Sequence, residues 1–180
     1  VVLSKEFGRI NAELSGGDYS KNEYKVFCYA DSAAYSSAIA AGVAVETIKA
    51  AGSTGEIKWV VTNNGTLDVY GIGDLSEIST APWAEYNAEI KNIYIENGII
   101  GVGTGLFADI QNAYIELPET VTALGENALN AKNTIVRVPV YVKTIADNAL
   151  DSTVTIYSYK NAIALKYAAD KGLKCDERKS

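Results

Sequence analysis

The stretch "GIIGVGTGLFADI" (98–110) sets Gly101, Gly103 and Gly105 behind an apolar run, the composition of a loop that cradles phosphate. A dinucleotide fingerprint also needs glycine or alanine at position 106, where helix and strand approach, and this chain has Leu106. Carboxylates are the other candidates, because two of them suffice to hydrolyse a glycosidic bond. Glu96, Glu116 and Glu119 lie on or beside predicted strands, but Glu116 shares an outward column with Arg137, so a cross-strand ion pair accounts for it. "GDYSKNE" (17–23) spaces Asp18, Ser20 and Asn22 like the start of a calcium loop. Its sixth position is Glu23 instead of glycine and its twelfth is Tyr29 instead of glutamate, so a solvated turn is expected.

The chain contains no histidine, which removes Ser-His-Asp and Cys-His catalysis and every histidine-ligated metal site. Cys28 and Cys175 have no metal-binding spacing and are expected as two buried thiols, with a single bridge between them as the alternative. No catalytic, cofactor or metal residue is therefore assigned. The net charge of −6 and the absence of a basic cluster argue against nucleic acid or an anionic membrane as partner. No apolar run approaches the roughly 18 residues of a membrane span. "VVLSKEFGRI" is not a signal peptide, and a chain without methionine is expected to start inside a longer precursor or to have lost its start.

Internal repeats supply the framework. "IYIENGIIGVGTGLF" (93–107), "IELPETVTALGENAL" (115–129) and "VRVPVYVKTIADNAL" (136–150) align at offsets of 22 and 21 residues. Ile95, Leu117 and Val138 share one column; Val102, Leu124 and Ile145 share another. Alternation around Tyr94 predicts a short strand with one buried face. Pro118 and Pro139, aligned with Glu96, end the strands because proline lacks a donor for further pairing. Gly103, Gly125 and Ala146 share a column read as a tight turn. A unit of this length cannot bury its apolar face alone, so the units must stack into a ladder of parallel strands. "LPETV" (117–121) resembles the LPxTG wall-anchoring signal, but Val121 replaces the glycine and no apolar tail follows, so it reads as a strand end.

A second duplication lies 130 residues apart: "VFCYADSAAYSSAIAAGVAV" (26–45) matches "IYSYKNAIALKYAADKGLKC" (156–175). Each copy predicts a strand, a helix rich in small residues and a glycine in a left-handed cap. Residues 1–50 are then the C-terminal capping part of a preceding module, strand plus helix, and 55–176 form a second module with an N-terminal hairpin, three repeats and a cap helix. The hairpin turns at "NNGT" (63–66), between "WVV" and "LDVY". Trp59, Trp83 and Tyr86 are expected as an aromatic cover over the end of the stack.

The second module, residues 55–176, resembles the BspA-type leucine-rich repeats of bacterial and protist surface proteins. The resemblance rests on Trp59, "GTL" (65–67), "GIGDL" (71–75) and "APWAEY" (81–86), then on the repeat core "IELPETVTALGENAL" and the closing "IYSYKNAIALKYAADKG". The terminal cap of a similar module is placed at 24–48. The first repeat departs from the pattern by lacking the proline, and leucine replaces the aromatic after alanine in the other two. The fold class expected is α+β and β-rich: a leucine-rich-repeat-like, right-handed solenoid of three short repeats with strand-helix caps. The resemblance implies a non-enzymatic, secreted or cell-surface binding or adhesion module, without cofactor, for an extracellular protein or glycan. The alternative is an accessory or spacer module of a larger surface enzyme. The outward strand column, Tyr94, Glu116 and Arg137 with Tyr114 and Tyr141 nearby, is the candidate ligand surface, since tyrosine and arginine combine large contact area with polar tips.

Overall fold

The computed structural model describes residues 26–103, 105–159 and 162–178. The turn expected over 17–23 lies outside the described residues. The chain divides into two compact units, Val1–Ala51 with Val60–Asn64, and Gly52–Trp59 with Gly65–Ser180. The described part is β-rich, with two α-helices.

In the first unit β1 (Val26–Cys28) leads into α1 (Ala33–Ala40), and the chain returns as β2 (Val45–Thr54), whose last residues belong to the second unit. β1 and β2 pair in parallel with Val26 opposite Val45. Ser32 fixes the helix start: its Oγ accepts from the Tyr35 amide at 3.1 Å and donates to the Tyr29 carbonyl at 2.7 Å. Ala34 and Ala38 are small enough to bring α1 down onto Val26, Cys28 and Val43, and Gly42 at φ 68° turns the chain back.

The same unit recurs 130 residues later as β11 (Thr155–Tyr159), α2 (Ile163–Lys171) and β12 (Lys174–Arg178). Ile156 faces Cys175, nineteen residues apart as Val26 and Val45 are. Ala164 and Ala168 are buried in the places of Ala34 and Ala38, and Gly172 has φ 66°. The strand after each glycine is absent from the sequence expectation; "VAV" and "LKC" are too short to carry an alternation. Cys28 is buried, and burial pushes its thiol pKa up while a hydrogen bond with Ser32 offsets part of the rise. Cys175 is exposed and both thiols are free, which corrects the expectation of two buried cysteines. β12 lies on the margin of its ladder, which leaves the Cys175 side chain open to solvent.

β3 (Ile57–Thr62) and β4 (Thr66–Gly71) flank the turn expected at "NNGT". Three repeat strands follow, β5 (Asn92–Ile95), β7 (Tyr114–Glu116) and β9 (Ile135–Arg137), with short strands β6 (Gly101–Val102), β8 (Ala123–Leu124) and β10 (Thr144–Ile145) between and after them. In the second unit β4, β5, β7, β9, β11 and β12 form one parallel ladder, and β6, β8 and β10 form another. The aligned columns are the observed register: Ile93 faces Ile115, Ile115 faces Val136, and Val102 faces Leu124, which faces Ile145. β4 was expected only as a hairpin arm, yet it extends the ladder through Leu67 opposite Ile93.

Inward residues of the long ladder, Leu67, Ile93, Ile115, Val136 and Ile156, are fully buried. Apolar surface removed from water contributes about 25 cal/mol per Å², so this continuous column stabilises the pairing of successive strands. Trp83 is also fully buried, stacked on Phe107 with centroids 5.6 Å apart and edge-on to Trp59 at 6.4 Å. Tyr86 is half-buried. Asn112 and Asn133, 21 residues apart, take the left-handed conformation two residues before β7 and β9, as asparagine tolerates. The Asn133 amide donates to Thr153 Oγ1 at 2.8 Å, and Thr153 in turn donates from its amide to Asp151 Oδ1 at 2.8 Å.

The glycine cluster serves the same stack. Leu106 and Phe107 are buried where a phosphate loop would need bare backbone. Gly125 and Ala146 open the tight turns expected of their column, their carbonyls accepting from the Ala128 and Ala149 amides at 3.3 and 3.0 Å, but neither Gly103 nor Gly125 has a left-handed φ that would demand glycine. Close approach explains it: a Cβ on Gly103 would lie 3.1 Å from Ser76 Cβ and 3.8 Å from Gly125 Cα.

Candidate functional site

Alternation turns one residue in two out of the ladder, and parallel register aligns those residues in rows. Asp68, Tyr94, Glu116, Arg137 and Tyr157 form one row across β4, β5, β7, β9 and β11. The expected column is therefore a physical row. Glu116 and Arg137 form an ion pair with side chains 31% and 28% exposed, enough shielding to outlast that of a fully solvated pair.

Tyr114 stands two residues before Glu116 on the same face, and its hydroxyl donates to Glu116 Oε2 at 3.1 Å. Its ring meets that of Tyr94 edge-on, with centroids 6.4 Å apart. Burial, then the neighbouring Glu116 charge and its hydrogen bond, push the Tyr114 phenol up to about 12, against the opposing effect of Arg137. Burial disfavours charge on Arg137, but a hydrogen bond with Tyr159 and the Glu116 carboxylate outweigh it and raise the guanidinium pKa. The chain Tyr114–Glu116–Arg137–Tyr159 thus fixes four side chains in a line across three strands.

Where the strands end, a groove of about 280 Å³ opens in this face. Tyr94, Glu116, Arg137 and Tyr159 line it from the strands, and Glu96, Asn97, Glu119, Pro118 and Pro139 line it from the segments that follow. Pro118 and Pro139 mark its position, because strand pairing through the backbone amide stops at each of them. Of the five expected residues, Tyr94, Glu116 and Arg137 line the groove, while Tyr114 supports it through Tyr94 and Glu116. Tyr141 is 54% exposed in the turn after β9 and does not line it.

No protein-family model matches the chain, and no curated protein does. A solved structure of a leucine-rich repeat protein from Eubacterium ventriosum is similar, at 19% identity and a TM-score of 0.43, over 63% of this chain and 45% of that one. This chain therefore spans less than half the length of that protein.

Tyr159 is the groove residue that the sequence reading missed. Alternation in "TIYSY" puts Tyr157 and Tyr159 on one face, but the segment belongs to the strand-helix unit and not to the three aligned repeats. Glu96 and Glu119 both line the groove. Both are open to solvent, unlike the enclosed carboxyl that acts as a general acid in glycoside hydrolysis, and Glu116 is engaged by Arg137 and Tyr114. Among the described residues no group of three or more cysteine, aspartate and glutamate side chains is placed to hold a metal ion. No helix among them is long and apolar enough to cross a membrane.

Proposed function

We propose that this chain is a non-enzymatic binding module, a BspA-type leucine-rich-repeat solenoid acting at a cell surface or after secretion. Its ligand, an extracellular protein or glycan, docks on the outer face of the parallel ladder. The observation that carries this reading is the groove bearing Tyr94, Glu116, Arg137 and Tyr159, in which the polar tips of the last three are held by one another and the Tyr94 ring packs edge-on against Tyr114. Side chains ordered before binding lose little further freedom when a ligand arrives, which favours affinity. The test is an array of extracellular-matrix proteins and bacterial surface glycans, probed with the intact chain and with Tyr94→Ala and Arg137→Ala. A ligand held by the parent and lost from both variants is expected. Absence of any ligand for the folded chain, or binding that both variants retain, would overturn the reading.

The 130-residue duplication of strand, helix and strand supports a second reading, in which residues 1–50 end a preceding module and the chain is a spacer in a larger surface enzyme. Under that reading the array yields nothing, and removing the chain from the full-length protein alters reach but not turnover of a small soluble substrate.

A further inference from the structure

We infer that the groove takes a basic peptide segment, seated with a lysine or arginine side chain among Glu96, Glu119 and the Tyr94 ring. This rests on the proposal that the groove is the ligand surface. Its charges decide the occupant. Three carboxylates and one guanidinium line it, and the guanidinium is already neutralised by Glu116. Among the described residues no side chain pairs with Glu96 or Glu119, so the groove keeps two uncompensated negative charges. A cation entering it gains both carboxylates and the electron-rich face of Tyr94. An anionic ligand would meet repulsion from all but Arg137, whose donors are directed at Glu116 and Tyr159. Leu117, Pro118 and Pro139 line the groove among these polar groups, and the Tyr94 ring offers apolar surface to the aliphatic stem of a long basic side chain. The groove runs from β5 to β11, three strand spacings or about 14 Å, the reach of about four extended residues. A short segment of peptide fits that span.

The test is fluorescence anisotropy with labelled tetra-arginine, its uncharged citrulline counterpart and tetraglutamate, at about 20 mM and about 500 mM salt. The intact chain is compared with the double variant Glu96→Gln/Glu119→Gln, with Tyr94→Ala, and with Asp109→Asn/Glu126→Gln, which removes the same charge from exposed positions outside the groove. Tetra-arginine is expected to bind at low salt, and the groove pair to weaken it about tenfold while the control pair changes it less than about twofold. Equal binding of the citrulline peptide, or equal losses in the groove and control pairs, would overturn the assignment. Citrulline or glutamate peptides that bind and are lost with Tyr94→Ala would overturn the charge preference while upholding the groove as ligand surface. Tetra-arginine binding untouched by all three groove substitutions would overturn both.

Discussion

Gly98 is the sharpest test of the stacked backbone. It has φ 110°, and an added Cβ would lie 2.2 Å from the Gly71 carbonyl oxygen. That is about 1 Å closer than a normal carbon–oxygen contact of 3.3 Å or more. Gly98 is held through both of its backbone polar groups: the Gly73 amide donates to its carbonyl at 3.2 Å, and its own amide donates to Thr120 Oγ1 at 3.2 Å. Gly98→Ala must therefore pay for a φ that alanine disfavours, about 1–3 kcal/mol, and for overlap that only backbone movement relieves, another 1–3 kcal/mol or so. Gly172→Ala is the control, because φ is 66° there and nothing lies within 4 Å of the added Cβ. It should cost about 1 kcal/mol. Both tryptophans lie in the second unit, so tryptophan emission during urea unfolding reads the relevant transition. With a slope of about 1.5 kcal/mol per molar urea, a loss of about 3 kcal/mol moves the midpoint down by about 2 M, against less than about 1 M for Gly172→Ala. Equal shifts, or a larger one for Gly172→Ala, would show that the turns do not approach as closely as Gly71 and Gly98 require.

Other consequences are equally open to measurement. Because the Tyr114 phenol is raised to about 12, its contribution to stability is complete below the ordinary tyrosine value near ~10 and disappears as pH rises through about 12. Tyr114→Phe should remove a late-ionising phenol from the ultraviolet titration; loss of a phenol from the ordinary range near ~10 instead would place Tyr114 in open solvent. The Asp151 pKa is lowered by hydrogen bonds from the Thr153 hydroxyl and amide, with burial opposing and Lys132 assisting. Its contribution is therefore present above the ordinary aspartate value near ~3.9 and fades as pH falls through the lower folded value. Asp151→Ala should cost about 1 kcal/mol at neutral pH, and a difference from the parent that fails to shrink in acid would contradict this. Leu124→Ala, at the centre of the short ladder and 2% exposed, should cost about 2–5 kcal/mol in the same urea assay. In the native chain a thiol reagent should modify Cys175 at once and Cys28 only as its unit opens; equal rates would refute the burial of Cys28.

What was legible in the sequence and what was not divide along one physical line. Stacked turns must place like beside like, so Ile95, Leu117 and Val138 announce a column, and from it the strand register and the Glu116–Arg137 pair follow. Wherever the spacing drifts, that logic loses its grip. β4 stands 26 residues from its parallel partner, Leu67 to Ile93, so "LDVY" is legible as the hairpin arm it is, but its second pairing, in the ladder, is not. Tyr159 sits where one repeat pattern gives way to another, and Tyr141 sits beyond Pro139, where pairing has ended and periodicity no longer predicts direction. The groove was hidden for a related reason. It lies where strands stop, and a sequence pattern marks Pro118 and Pro139 as stops without revealing that the residues around them line a concavity. Rows of side chains can be read from a repeat, but the hollow that makes a row usable for binding depends on where the repeat breaks.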